Sequence, residues 1–233
     1  MNPGALGLAG TLSVFADVTF GFDPPYDSGS PVQQWSAGLN SHFLALAYQS
    51  DRLPDALGTG TITGRAVRMV IWGRHERVGG AGAVTWHSGG DGGVTFDAGV
   101  VYRATRLLDL GAVLANIGQP SVRGIELLLS LRPAMTLHTP ESAFSLQTQA
   151  DIQTDGLRSV AIGTAIKLAF VHLTARLDTN GDFQRESFTF GLSIGGQSRV
   201  GSLMTGSGDL GNMDAASLHL TSERSNQQSR SRL

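Results

Sequence analysis

The feature that most constrains the fold is the stretch 94–118, VTFDAGVVYRATRLLDLGAVLANIG, which splits into two runs of alternating polarity. Successive side chains of a strand point to opposite faces, so a period of two indicates a strand with one apolar face. Only Ala104, Thr105 and Arg106 separate the runs, which predicts a hairpin with a tight turn. The apolar sets are Val94, Phe96, Ala98, Val100 and Tyr102 in the first run and Leu108, Leu110, Ala112 and Leu114 in the second.

The opposite face of this hairpin is hydrophilic, since it carries Asp97, Arg103 and Asp109 among glycines. The same alternation recurs along the chain and predicts about 14 strands. An antiparallel sheet of this kind needs a partner for its apolar face, which is either a second sheet or lipid. The other predicted strands are 11–22, 32–39, 42–49, 61–72, 78–87, 122–132, 143–153, 157–167, 169–178, 183–195, 199–205 and 217–222.

Turn lengths and the composition of the hydrophilic face favour lipid. Short and long connections alternate, as they do in bacterial outer-membrane barrels. The hydrophilic face is mainly Ser, Thr, Gln and Gly, whereas a soluble sandwich would place Lys and Glu there, and the chain has one lysine, Lys167. We therefore predict an all-β, antiparallel, transmembrane up-and-down β-barrel of about 14 strands over residues 11–222, whose first strand pairs with one from the last thirty residues. A soluble β-sandwich or lipid-binding barrel is the alternative.

Composition excludes several classes of protein. With 17 basic and 19 acidic residues the net charge is -2, which does not provide the basic surface that a nucleic-acid partner requires. The absence of cysteine excludes disulfides and thiolate chemistry. The sequence contains no run of about 18 apolar residues, so no transmembrane helix is predicted. The opening MNPGALGLAG does not have the pattern of a signal peptide, and the closing stretch 223–233 is predicted to be a disordered polar tail.

No catalytic or metal-binding constellation is visible in the sequence. The histidines lack zinc-ligand spacing and no Gly-x-Ser-x-Gly elbow occurs, so we expect no enzyme activity, no metal and no cofactor. The segment 178–182, DTNGD, has the oxygen spacing of half a calcium loop, but Thr189 stands where such a loop needs glutamate, so a turn is predicted. Charged residues of the hydrophilic face are the candidates for a barrel lumen: Asp97, Asp109, Glu126, Asp151, Lys167, His172 and Arg176.

Charges enclosed in a lumen need partners, because an unpaired buried charge is far more costly than a paired one. The alternation therefore predicts opposite-charge contacts across neighbouring strands, such as Asp151 with Lys167 or with Arg176. The aromatic residues predicted for the membrane girdles are Trp35, Tyr48, Trp72, Trp86 and Tyr102.

Three short motifs resemble the FadL-like outer-membrane barrels. The segment Asn2-Pro3-Gly4-Ala5-Leu6 is similar to their Asn-Pro-Ala-Gly-Leu motif, and YRATRLLDLG at 102–111 and GLSIG at 191–195 resemble their strand segments. That superfamily includes the fatty-acid transporter FadL and the PorV-type barrels of a secretion system. The resemblance implies a 14-stranded barrel in which Asn2 and Pro3 end a hatch segment, so that residues 1–10 are a hatch remnant or linker.

The resemblance also implies a location and a function. We expect the chain to contact lipid in the outer membrane of a Gram-negative cell and to transport a hydrophobic small molecule without a cofactor. The alternative is a non-transporting barrel that anchors or scaffolds an envelope protein or a lost domain. A continuous apolar pocket in the lumen would favour transport, and a lumen filled with Arg–Asp or Arg–Glu pairs would favour the anchor.

The barrel prediction can be tested on its outer face. Leu173→Arg would place a charge in lipid and is expected to lower the free energy of unfolding by about 2–4 kcal/mol. Urea titration of the protein in lipid vesicles measures this loss. A cost no greater than that of Leu173→Ala would contradict lipid exposure. The other positions predicted to face lipid are Phe144, Leu146, Ile152, Val160, Ile162, Val171, Phe188, Phe190 and Leu192.

Overall fold

The computed structural model describes residues 12–21, 32–41, 43–54, 61–89, 92–122, 124–139, 143–207 and 213–224. No helix within these ranges is long and apolar enough to span a membrane. The strands are β1 Leu12–Gly21, β2 Val32–Asn40, β3 Leu44–Pro54, β4 Thr61–His75, β5 Val78–Ser88, β6 Gly93–Arg103, β7 Leu108–Ala115, β8 Ser121–Val122, β9 Ile125–Glu126, β10 Ser130–His138, β11 Phe144–Gln153, β12 Gly156–Leu168, β13 Val171–Asn180, β14 Arg185–Gly195, β15 Ser198–Ser207 and β16 Ala215–Arg224.

Fourteen of these strands form one closed antiparallel barrel, and β8 and β9 form a separate two-stranded hairpin. Each barrel strand pairs with its neighbours in chain order, with β7 next to β10 because the small hairpin lies in the connection between them. The barrel closes where β1 pairs with β16, from Leu12 opposite Arg224 to Gly21 opposite Ala215. This confirms the predicted fold and the predicted closure, which leaves no strand edge with unpaired N–H and C=O groups.

The two rims of the barrel differ in their connections. One rim, here the short-turn rim, carries the start of β1, the end of β16, the turns 76–77, 104–107, 169–170 and 196–197, and the strand ends that meet between β2 and β3 and between β10 and β11. The opposite long-loop rim carries the described connections 116–122, 124–129, 154–155 and 181–184, and the strand ends that meet between β1 and β2, β3 and β4, β5 and β6, and β15 and β16. Between β15 and β16, the Ser207 hydroxyl and backbone N–H donate to the Asp214 carboxylate, and these hydrogen bonds lower the pKa of Asp214.

The outer face of the barrel is apolar. Nine of the ten positions predicted to face lipid are half-exposed or exposed on it, as the alternation requires. The tenth, Phe188, lies on the same face by register but is only 3% exposed. It stands opposite Gly206, which has no side chain to displace it, and its ring lies 5.7 Å from that of Phe190.

The predicted strand 122–132 is wrong. The structure replaces it with the β8–β9 hairpin and with β10, which starts at Ser130. The positive φ angle of Gly124 turns the backbone within the predicted strand, so the segment cannot be one extended strand. Positive φ angles at Asn116, Gly118 and Gln119 turn the chain just before it.

The chain termini and one turn also correct the predicted boundaries. Strand β16 continues to Arg224, so the first two residues of the predicted tail belong to the barrel. Phe183 lies in the turn before β14, with a φ of 61°, and not in the strand. The rest of the predicted tail and the hatch motif Asn2 and Pro3 lie outside the described residues.

Close packing at Gly38 supplies a test of the barrel wall. A Cβ atom there would lie 2.5 Å from the Leu46 carbonyl oxygen and 2.6 Å from the Phe15 ring, which covers Gly38 on the inner face. Gly38→Ala is therefore expected to lower the free energy of unfolding by about 1–3 kcal/mol, the usual cost of overpacking. Gly73→Ala is the control, since a Cβ at Gly73 meets nothing within 4 Å. Equal stability of the two variants in urea titration would contradict this packing.

Candidate lumenal site

The inner face of the barrel encloses a cavity of about 660 Å³ against strands β6, β7 and β10 to β13. Two arginines, two aspartates, a histidine and several neutral hydrogen-bonding side chains face it, with small apolar residues between them. Its size falls in the range of small-molecule sites, but its wall is more polar than is usual for them. The lining residues are Val101, Asp109, Gly111, Val113, Arg132, Ala134, Thr136, His138, Gln147, Gln149, Asp151, Ser159, Ala161 and Arg176.

The strongest polar cluster of the cavity lies between β10 and β11. Arg132 Nε donates to Asp151 Oδ2 at 3.0 Å, and Ser130 Oγ donates to Asp151 Oδ1 at 2.5 Å. Ser130 is fully buried, and the Arg132 and Asp151 side chains are 36% and 16% exposed. The carboxylate is thus held by two donors from the neighbouring strand.

This cluster stands beside an interruption of the β-ladder. The pairing of β10 with β11 includes Leu131 opposite Ile152 and resumes only at Ala134 opposite Gln149. Pro133 lies in the gap, and proline has no N–H to donate to a ladder. The Arg132–Asp151 contact therefore joins the two strands where their backbone hydrogen bonds are missing.

A second cluster lies near the short-turn rim. Asp109 of β7 accepts hydrogen bonds from Arg103 Nε at 2.9 Å and lies 3.2 Å from His138 Nε2. These three residues come from β6, β7 and β10, so they connect three neighbouring strands. The guanidinium and the imidazole surround a single carboxylate, which leaves Asp109 fully satisfied.

Two further ion pairs lie on the inner face. Arg176 and Asp178 are two residues apart on β13 and form a bidentate contact, with a shortest N–O distance of 2.6 Å. Arg68 Nη2 of β4 donates to Asp97 Oδ2 of β6 at 2.8 Å, across the intervening strand β5. The Asp97 pair faces a different part of the lumen and does not line the cavity.

The structure places most of the predicted lumen residues on the inner face, but it corrects one. Glu126 lies exposed in β9, in the loop connection, and not on the barrel wall. Asp97, Asp109, Asp151 and Arg176 take part in the ion pairs described above. Lys167 and His172 stand opposite each other at the short-turn end of β12 and β13.

The predicted partners of Asp151 are wrong. Asp151 stands opposite Ser159, whereas Lys167 lies eight residues further along β12, or roughly 26 Å at the rise of a strand. Arg176 stands opposite Gly163, about 13 Å further along, and bonds Asp178 instead. Opposite charges on neighbouring strands meet only where the register brings them level.

Sequence reasoning missed Arg132 and His138 because it ended a strand at residue 132. A period-two count over 130–138 separates Arg132, Ala134, Thr136 and His138 from Leu131, Pro133, Met135 and Leu137. That signal was present, and the proline at position 133 concealed it. Residues 178–180 end β13 and the turn predicted at 178–182 lies at 181–184, where Asn180 Oδ1 accepts the N–H groups of Asp182 and Gln184.

The lumen wall on the β3–β5 side is apolar. Trp72 is 6% exposed and packs with Ala45, Val70 and Ala83, so its prediction as a membrane-girdle residue is wrong. Trp35, Trp86 and Tyr102 are exposed, and the Trp35 ring lies 5.0 Å from that of Tyr48. Within the described residues, no group of three or more His, Asp or Glu side chains could hold a metal ion.

No protein-family model matches the sequence, and no curated protein matches it. The fold is similar to the toluene transporter TbuX of Ralstonia pickettii, with a TM-score of 0.63 and 11% identity over 96% of this chain and 92% of that chain. It is similar to the monoaromatic hydrocarbon channel CymD, with a TM-score of 0.61 and 11% identity over 95% and 90%. A triple mutant of the Rhodopseudomonas blastica porin gives a TM-score of 0.52 and 7% identity over 91% and 99%. At identities this low, the structural similarity establishes a shared fold and nothing more.

The Arg132–Asp151 pair gives a test of the site. Asp151→Asn removes a charge-assisted contact that joins two strands beside a ladder gap, and we expect the free energy of unfolding to fall by about 1–3 kcal/mol. Asp178→Asn is the matched control, because its arginine lies on the same strand and is half exposed, and its one hydrogen bond to another strand, from Ser187 Oγ, is long at 3.4 Å, so a loss of at most about 1 kcal/mol is expected. Urea titration in vesicles that shows a larger loss for the control would contradict the bridging role of Asp151.

Proposed function

We propose that this protein is an outer-membrane β-barrel of a Gram-negative cell and that it passes small molecules through its lumen. The observation that carries the proposal is the pairing of a closed barrel with an apolar outer face and a polar inner cavity of about 660 Å³. The outer face suits contact with outer-membrane lipid, because a soluble protein rarely exposes so much contiguous apolar surface.

The lining of the cavity favours solutes that form hydrogen bonds. Gln147, Gln149 and Thr136 face the cavity, and no hydrogen bond joins their side chains to any other described residue. Arg132 uses its Nε atom for Asp151 and Ser130, which leaves both of its terminal nitrogens for a solute or water. A hydrophilic solute can replace water at these groups one contact at a time.

The expected hydrophobic solute draws support from a different observation. Two proteins of similar fold are a toluene transporter and a monoaromatic hydrocarbon channel. The apolar wall formed by Ala45, Val70, Trp72 and Ala83 is the inner surface that would suit such a molecule. It is tightly packed, however, whereas the open space lies on the polar side, so the geometry favours hydrophilic solutes.

The alternative of a non-transporting anchor, including a PorV-type role with an envelope protein partner, rests on the ion pairs of the lumen. The ion pairs would favour the anchor role if they filled the interior of the barrel. They lie along the wall and leave the cavity open, so passage of solutes is the function better supported by the geometry.

Liposome swelling tests the proposed function. Purified protein in vesicles is expected to speed the entry of a small sugar, and Ala134→Trp is expected to slow it because the indole would enter the cavity. Ala98→Trp is the matched control: Ala98 is exposed on the outer face, so the same substitution there should leave the rate unchanged.

The outcomes separate the candidate functions. Entry of toluene without entry of sugar would favour a hydrophobic solute. Entry of neither, with the barrel shown to be folded by its gel mobility without heating, would favour the anchor. Equal rates for Ala134→Trp and Ala98→Trp would show that solutes do not use the cavity.

A further inference from the structure

The connection between β7 and β10 is held at both ends by carboxylates of the lumen. We use the name strap for its described residues, 116–122 and 124–129. At its start, the backbone N–H of Asn116 donates to Asp97 Oδ1 at 3.0 Å, and Asp97 Oδ2 accepts from Arg68. Just beyond its end, Ser130, the first residue of β10, donates to Asp151, which also accepts from Arg132. One aspartate therefore fixes the start of the strap and another fixes the strand residue that follows its end, and each aspartate is paired with an arginine.

The two ends are also tied to each other. Asn116 has a φ of 57°, which turns the chain away from β7, and its side-chain Nδ2 donates to the Leu128 carbonyl oxygen at 3.0 Å. Leu127 N donates to the Pro120 carbonyl oxygen at 3.0 Å, which closes the strap around the β8–β9 hairpin. The strap is thus a compact unit with its own hydrogen bonds.

The middle of the strap lies on the inner wall of the barrel. Gly93 begins β6 and stands opposite His87, so a Cβ atom at Gly93 would point into the lumen. It would meet the Ser121 carbonyl oxygen at 2.5 Å and Val122 Cγ2 at 2.9 Å. Val122 is 7% exposed as a result. The strap therefore occupies the inside of the long-loop rim, where only a glycine in the wall leaves room for it.

We propose that the strap is a gate at the mouth of the lumen, latched by Asp97 and Asp151, and that its release widens the entrance for solutes. This inference rests on the proposed function. In the latched state the strap narrows the mouth beside Arg132 and Asp151, which line the cavity below it. The lumenal ion pairs Arg68–Asp97 and Arg132–Asp151 then act as latches for the gate.

The middle of the strap is held weakly compared with its ends. Its hairpin has two residues in each strand, and two-stranded hairpins are marginally stable on their own. Ile125 is 66% exposed, and Glu126 is exposed as well, so Val122 makes the main contact with the wall. Segments with few buried contacts open at low free-energy cost.

The test uses the absence of cysteine from the chain. Val122→Cys places a single thiol under the latched strap, and its labelling by a water-soluble maleimide reports release. Gly93→Ala should displace the strap, and Asp97→Ala should remove one latch. Asp97→Ala is expected to speed labelling about tenfold, the change in an opening equilibrium when one hydrogen bond to a charged group is lost. Gly93→Ala is expected to speed it about tenfold as well, because the new Cβ would clash with Ser121 and Val122. Gly82→Ala, where a Cβ meets nothing within 4 Å, should leave the rate unchanged.

Conductance of the same variants in planar bilayers separates the gate from the proposed function. Higher conductance of Gly93→Ala and Asp97→Ala than of Gly82→Ala supports the gate. In the otherwise unaltered protein, Val122→Cys should be labelled more slowly than Ile125→Cys. Equal labelling rates would overturn the claim that the strap covers Val122. If the parent protein conducts and Gly93→Ala conducts equally well, the strap is not a gate. No conductance in any folded variant, with labelling still faster in Gly93→Ala, would overturn the proposed function while leaving the latched strap in place.

Discussion

The structure depends on the requirement that the backbone N–H and C=O groups of its sheet find hydrogen-bond partners within the protein, which an open sheet edge leaves unpaired. An antiparallel sheet can meet this requirement only by closing on itself, which the β1–β16 pairing achieves without a break from end to end. Once the sheet is closed, each side chain of a strand must point either to the outside or to the lumen. The alternation that puts Leu173 and Phe190 outside must put Arg176 and Thr189 inside.

The enclosed polar groups do more than avoid an unpaired charge. Asp151 joins two strands where Pro133 prevents backbone pairing, and Asp97 joins β4, β6 and the start of the strap. Each carboxylate thus accepts from an arginine on another strand and from a second donor outside its own strand. Such groups specify which elements lie together, whereas the ion pair of Arg176 with Asp178 lies within one strand, and only a 3.4 Å hydrogen bond from Ser187 joins Asp178 to β14.

The sequence was sufficient for the fold class, the strand number and closure, because these follow from the period of two and the spacing of turns. The prediction failed where the local pattern of apolar residues suggested a strand but the backbone turns. The run 122–132 has enough apolar residues to suggest a strand, but the positive φ angle of Gly124 turns the backbone within it, and three more at Asn116, Gly118 and Gln119 turn the chain just before it. The prediction of the ion pairs failed for another reason. The sequence shows which face of a strand a charge occupies, but it does not show which residues stand level on neighbouring strands. On β12 the residue level with Asp151 is Ser159 and not Lys167, so Asp151 takes its cation from Arg132 on its other neighbouring strand, β10.

Pro133 also has a mechanical consequence. The missing hydrogen bonds divide the β10–β11 ladder into a short block at Ser130 and Leu131 and a longer block from Ala134 to His138. Every bond along an intact ladder shares a shearing load, but a divided ladder can yield one block at a time. A barrel extracted by force from one end would therefore release this strand pair in two steps, and the Arg132–Asp151 contact would add to the force at which the short block gives way.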